Sequence, residues 1–244
     1  MKTFPFEAVI FDLDGTLRIS QPRFMDALHE YLQQNGKFVP PERWKPIEAW
    51  IHYYWARSPE IQEDVQLYGD ENVWNRFMYR LLQKAGYPVS EEEATRIAAD
   101  FLEVYTPTSV LMPGAQEALA ALRSLPVVLG VLSNRRHAFE DELRSLGIRE
   151  YFDFLLPAGE LGVWKPHPEI FLAALERAGG VPPHKAVYIG DNYYADIKGA
   201  RGVGMHAILV DDRDIFQQDD VPKVRDLRQL LPVLHSLRPL ALER

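Results

Sequence analysis

Phe6-Glu7-Ala8-Val9-Ile10-Phe11-Asp12-Leu13-Asp14-Gly15-Thr16 is the stretch on which the fold reading turns. Its apolar run, Ala8 to Phe11, has the composition of a buried strand, and it stops on a carboxylate with a second one two residues later. In an open α/β sheet, ligands bind beyond the carboxyl ends of the strands, where the chain leaves the core and can present polar side chains. Two acids at i and i+2 would share one face if the strand ran on. Gly15 interrupts that pattern, because glycine turns through backbone conformations closed to other residues and lets N–H groups approach an anion. Crowded carboxylates raise each other's pKa unless a cation answers them, so the pair predicts a bound metal or a shared proton. Asp and Gly are also ordinary turn residues. The weight of the motif therefore depends on what the rest of the chain places beside it.

Further strand-like runs occur at Val127 to Leu132, Phe152 to Leu156, Ala186 to Ile189 and His206 to Val210. Helical patterns separate them. Ala115 to Leu125 carries Ala118, Leu119 and Leu122 on one face. His137 to Leu146 carries Phe139, Leu143 and Leu146 ahead of Gly147, a C-cap candidate, and Pro168 to Ala178 follows suit. Strands alternating with helices of about ten residues imply βαβ units, which close as a parallel sheet with helices on both faces. Residues 19–108 break the alternation with four or five successive helical patterns. Phe24, Leu28, Tyr31 and Leu32 share a face, as do Trp44, Ile47, Ile51, Tyr54 and Trp55. Asp70 is positioned to cap a helix carrying Val73, Trp74, Phe77, Leu81 and Leu82, and Ser90 with Glu93 reads as a capping box. The expectation is an α/β core of residues 1–18 and 109–244, interrupted by a helical domain of residues 19–108. Four of the five tryptophans fall in that insertion, where aromatic side chains at helical spacing form a bundle's own core or its docking face more readily than a ligand pocket.

The 244 residues provide for a sizeable core. Twenty-seven Lys and Arg against 35 Asp and Glu give a formal charge of -8, with no basic stripe, which argues against nucleic-acid binding. The absence of cysteine excludes disulfides, thiolate nucleophiles and cysteine-ligated zinc, so any metal must be held by oxygen or imidazole. The first apolar stretch is short and interrupted by Glu7 and Asp12, unlike a signal peptide or membrane span. A cytoplasmic protein without membrane attachment is expected, its oligomeric state open.

Three later segments place polar groups at strand ends. Ser133-Asn134 follows the second core strand and offers a hydroxyl and backbone donors to an anion, although both are also common helix caps. Lys165 stands between Trp164 and Pro166-His167-Pro168, a stiff approach to a helix that suits a fixed positive charge. Gly190-Asp191-Asn192-Tyr193-Tyr194-Ala195-Asp196 follows the strand Ala186 to Ile189. There Asp191 would supply a hard oxygen ligand, and Asp196 would orient a metal-bound water or Lys165 from behind. Arg18 and Arg23 read foremost as solvated residues near a hinge, with contact to a substrate as the inserted domain closes the alternative, and His167 and His206 read as structural or surface residues lacking a ligand set.

In this order the four segments resemble the sequence motifs of the haloacid dehalogenase-like hydrolase superfamily. Lys165-Pro166-His167-Pro168-Glu169-Ile170-Phe171 and Gly190-Asp191 through Asp196-Ile197-Lys198-Gly199-Ala200 match beyond the single catalytic letters. The resemblance spans Phe6 to about Val210 and implies a Rossmann-like core with the insertion as a helical cap. It implies Asp12 as a nucleophile that forms an aspartyl phosphate, and Asp14 as general acid and then base. Mg²⁺ would be held by Asp12, the backbone carbonyl of Asp14, and Asp191. Ser133, Asn134 and Lys165 would bind the phosphoryl oxygens, with a small phosphorylated metabolite as substrate. Dehalogenases of the superfamily lack an acid at the position of Asp14, whereas phosphatases and phosphomutases retain one. Phosphatase is the expectation, with a phosphomutase or a noncatalytic phosphate- or partner-binding regulator as alternatives.

Overall fold

The structure is a computed structural model that describes residues 4–237. Strands β1 (Ala8–Phe11), β2 (Arg18–Gln21), β3 (Thr108–Leu111), β4 (Val128–Ser133), β5 (Phe154–Pro157), β6 (Ala186–Gly190), β7 (His206–Val210) and β8 (Lys223–Val224) form two sheets. The larger runs β5-β4-β1-β6-β7-β8 with every pair parallel, and the smaller pairs β2 with β3. The chain divides into two compact units, one built from residues up to Ile19 and from Ser109 onward, the other from Ser20 to Thr108.

In the first unit β1 is apolar throughout, and β4 is apolar up to the terminal Ser133, because both faces of the sheet are covered. On one face Val9, Phe11, Val131 and Ile189 pack with Leu119, Leu122 and Leu143. On the other, Ile10, Tyr188 and Leu209 pack with Ile170, Phe171 and Ala174. Register fixes the site's position: Phe11 lies level with Val131 of β4 and with Ile189 of β6. Asp12 is therefore one residue past that level, and Ser133 and Asp191 are two past it on the flanking strands. The chain leaves β1 toward β4 on one side and meets β6 on the other, the topological switch at which open α/β sheets bind ligands.

Several local expectations shift. The helix expected over His137 to Leu146 occupies only Glu140–Ser145. Phe139 is extended rather than helical in φ, and the acidic run Glu140, Asp141 and Glu142 favours a helix N-terminus at that point. The two-residue strand β8 is too short to leave a periodic signal.

The second unit consists of helices Phe24–Gln34, Pro41–Trp55, Pro59–Tyr68, Val73–Ala85 and Glu91–Val104. Its aromatics close its own core: Trp50 stacks on Phe77 at 5.9 Å, and Trp55 and Trp74 also contact that ring. Asp70 does not cap the fourth helix but opens a 3₁₀ turn, Asp70–Asn72, that precedes it. Half of the expected capping box forms. Ser90 Oγ accepts from the Glu93 N–H at 3.2 Å, while the Glu93 carboxylate is engaged by Lys37. No helix among the described residues is long and apolar enough to cross a membrane.

Candidate active site

The loop leaving β1 turns sharply at Gly15, whose φ is +85°. A Cβ there would overlap the Asp191 carboxylate, so glycine is required both for the turn and for the approach of the two strand ends. The next residue, Thr16, is fully buried, and its hydroxyl has no hydrogen-bond partner among the described residues. Gly190 plays a similar part at the end of β6, where a Cβ would overlap Asp196. After it the chain enters a π-helical turn, Tyr193–Ile197, rather than a regular helix. Asn192 caps this turn by accepting from the N–H groups of Tyr194 and Ala195, and Asp196 accepts from the Asn192 N–H at 2.9 Å.

Lys165 lies at the centre of the buried charges. Its ammonium donates to Asp12 Oδ1 at 2.6 Å, to Asp196 Oδ1 at 2.7 Å and to the Tyr188 hydroxyl at 2.9 Å, which accounts for all three N–H bonds. Burial by itself would lower its pKa; the charges of Asp12 and Asp196 outweigh that and hold it well above the usual lysine range. The main chain of Lys165 is pinned by Asn134, whose amide accepts from the Lys165 N–H at 2.7 Å and donates to its carbonyl at 3.2 Å. This amends the expectation that Asn134 binds phosphate. Its side chain is committed to positioning the lysine, because a backbone segment at a buried site must have its hydrogen bonds met.

Oxygens of Asp12, Asp191 and Asp196 lie within 4.8 Å of one another. Burial pushes the Asp12 carboxyl up to about 7 against the opposing pull of Lys165, and burial followed by the charges of Asp12 and Asp196 raises Asp191 well above the carboxylate range. Ionised together, the three carboxylates would exceed the one ammonium by two charges, a deficit that a divalent cation with a preference for oxygen would meet. Asp196 has both oxygens engaged by Lys165 and Asn192, so its carboxylate serves the lysine and the turn. The donor set therefore fits a hard divalent metal.

Asp14 is turned toward two arginines. Arg135 donates to both of its oxygens, at 2.6 and 2.7 Å, and Arg18 Nε is 2.8 Å from Oδ1. Glu142 pairs with Arg135 and lies 3.2 Å from Arg18 Nε. Burial would raise the pKa of Glu142, but its hydrogen bonds with Arg135 and Ser109 hold it below the usual range. The expectation of a solvated Arg18 is thus overturned by the paired acids around it, while Arg23 is half-buried just before the first helix of the second unit. Ser133 is buried at the end of β4. His167 caps the helix Pro168–Arg177 by accepting from the Glu169 N–H, and His206 is buried edge-on against Phe6.

Sequence reasoning missed Tyr188, Arg135 and Glu142. Tyr188 had a readable signal, since a phenol in a strand buried on both faces must find a polar partner. It donates to the Leu132 carbonyl at 2.9 Å while accepting from Lys165. Arg135 follows Ser133-Asn134 directly, but its partner Asp14 lies 121 residues away and no local pattern joins them.

Residues 6–204 match the profile of the family described as "Hydrolase: haloacid dehalogenase-like hydrolase". A mouse protein named haloacid dehalogenase-like hydrolase domain-containing protein 3 is 36% identical over 172 residues, 67% of this chain and 68% of the relative. The frog, cattle and human proteins of that name are matched over about half of their own length. A glyceraldehyde 3-phosphate phosphatase of Methanopyrus kandleri is 29% identical over 95% of this chain and 98% of its own. The solved structure of a 2-haloacid dehalogenase from Pseudomonas syringae pv. tomato superposes with a TM-score of 0.53 at 28% identity, covering 94% of this chain and 98% of that one. With four motifs on one sheet edge and a profile match across most of its length, the chain belongs to the haloacid dehalogenase-like hydrolases.

Proposed function

We propose that this hydrolase is a magnesium-dependent phosphatase that cleaves a small phosphomonoester through an aspartyl phosphate on Asp12. The observation that carries this reading is the meeting of Asp12, Lys165 and Asp191 at the carboxyl ends of adjacent parallel strands. Asp12 and Asp191, with the Asp14 carbonyl, would hold Mg²⁺, which when bound lets an anionic nucleophile and an anionic ester share the site.

The chain's own residues supply the remaining work. Asp12 attacks phosphorus, forming an acyl phosphate as the ester P–O bond breaks and the alcohol leaves with a proton from Asp14. Asp14 then takes a proton from water, which attacks phosphorus and releases phosphate and the Asp12 carboxylate. Proton transfer of this kind contributes ~10²- to 10⁴-fold in rate. Lys165 holds one oxygen of Asp12 and so presents the other, while Ser133 stands two residues beyond the level of Phe11 on the neighbouring strand, where a hydroxyl suits a phosphoryl oxygen. Asp14 also separates this reading from dehalogenation, since a departing halide needs no proton. Names of relatives as phosphatases, including those acting on glyceraldehyde 3-phosphate and phosphoserine, support the substrate class.

Acid-quenching during turnover and mapping phosphorylated peptides tests the intermediate. Expected is one phosphoryl group on the peptide containing Asp12, absent from Asp12→Asn. Phosphate release in the absence of any phosphorylated Asp12 peptide, with turnover retained by Asp12→Asn, would overturn the mechanism.

A further inference from the structure

Asp14 sits in a two-bond fork. Arg135 Nη2 donates to its Oδ1 at 2.6 Å and Nε to its Oδ2 at 2.7 Å, the parallel pairing by which a planar guanidinium grips a carboxylate. Arg18 Nε adds a contact at 2.8 Å. Behind the pair, Glu142 accepts from Arg135 Nη1 and from Ser109 Oγ at 2.5 Å, and lies 3.2 Å from Arg18 Nε. All these residues belong to one compact unit. The Asp14 side chain is 43% exposed and that of Arg135 26%, so the fork is open to solvent on the side of Asp14.

The next step rests on the phosphatase reading above and refines its substrate. A general acid acts only when a carboxyl oxygen comes within hydrogen-bond reach of the ester oxygen. Both oxygens of Asp14 are engaged by Arg135, with Arg18 against Oδ1, and a carboxyl that turns to the ester oxygen leaves the fork. Arg135 then keeps Glu142 on Nη1 and loses the partners of Nε and Nη2. The planar donor pair faces the space from which Asp14 departed.

We propose that Arg135 determines specificity by receiving a second anionic group of the substrate, a carboxylate or a phosphate, which replaces Asp14 in the fork. The swap conserves charge at the arginine pair and frees the acid when a suitable substrate is present. Because the same Asp14 side chain must span from the fork to the ester oxygen, the anion belongs on the leaving-group side, within a few bonds of that oxygen. A guanidinium suits both candidate anions, since each presents oxygens that accept two parallel N–H bonds.

Matched substrates test this with Mg²⁺ present. Phosphoglycolate against 2-hydroxyethyl phosphate changes only a carboxylate to a hydroxymethyl group, and 1,3-propanediol bisphosphate against 3-hydroxypropyl phosphate removes a second phosphate. Expected in the wild type is a charged-to-neutral ratio of kcat/KM of about 10 to 100 in at least one pair, the range for a charge-assisted hydrogen bond. The pair that shows it identifies the anion. In Arg135→Met the ratio should fall to near one, mainly through KM for the charged ester, and Arg135→Lys should keep part of it, retaining charge without the fork. A wild-type ratio near one in both pairs overturns the proposal and requires no variant to fold; so does an undiminished ratio in Arg135→Met. Unchanged turnover of both charged and neutral esters by Asp14→Asn would be a different failure, removing the acid role and the proposal with it.

Discussion

Lys165 spends its three N–H donors on Asp12, Asp196 and Tyr188, so each acceptor fixes one direction of the ammonium. Tyr188 is the acceptor whose role is easiest to isolate. Replacing it with Phe retains the ring that packs edge-on to Phe171 at 5.2 Å, and removes both the acceptor for Lys165 and the donor to the Leu132 carbonyl. Leaving a buried charged donor unanswered costs about 1–3 kcal/mol. Tyr188→Phe should therefore fold, lose stability in that range by urea denaturation, and lose kcat about tenfold as the lysine settles in a less exact orientation. Unchanged kcat would make Tyr188 a packing residue alone. At this scale the sequence was informative about carboxylates and lysine, because their types and positions at strand ends carry chemistry in themselves. It was silent on pairings: nothing local told that Asn134 serves the Lys165 backbone, or that Arg135 and Arg18 share Asp14 with Glu142.

Between elements, the second unit's helices are tied by a polar hub within their apolar core. Asp64, fully buried on the helix Pro59–Tyr68, accepts from the Tyr54 hydroxyl at 2.9 Å and from Arg80 at 2.7 and 2.9 Å, with Arg76 3.6 Å away. Burial would raise its pKa, but the hydrogen bonds from Arg80 and Tyr54 outweigh it and hold the carboxyl below its ordinary value of 3.8. The folded form thus binds the proton less readily than the unfolded chain. Its contribution is complete above that ordinary value and is lost as pH falls through the folded one. Asp64→Ala should cost about 2–4 kcal/mol at pH 7, since it removes the buried anion of two partly buried arginines and leaves them only the more exposed Glu63 and Glu91, and the gap to wild type should narrow below pH 3.8. Denaturation series at pH 7 and pH 3 would measure it; a gap independent of pH would mean that packing rather than charge holds these helices together. The elements themselves were legible where periodicity was strong, as in the doubly buried strands β1, β4, β6 and β7. They were misjudged where only a few residues decide, as with the 3₁₀ turn at Asp70 and the short helix after Phe139.

Across the whole molecule, alternating strands and helices have a different hydrophobic period from successive helices, and the chain divides into two compact units at residues 19 and 108. The order of the sheet is not carried by that pattern and is set by which strands pair on folding. Register then brings the ends of β1, β4 and β6 together, so that residues 12, 133 and 191 share one edge although nearly 180 positions separate the outermost pair. What periodicity cannot convey is how the side chains around Asp14 pair, since their partners are set only by folding. On the proposed function, one acidic cluster at that edge performs metal-assisted phosphoryl transfer. The direct measurement is phosphate release from a panel of small phosphomonoesters with Mg²⁺ and with chelator, by wild type and by Asp12→Asn shown to be folded. Expected is turnover that needs Mg²⁺ and falls by about four orders of magnitude or more in Asp12→Asn; turnover indifferent to chelator, or retained by Asp12→Asn, would contradict it.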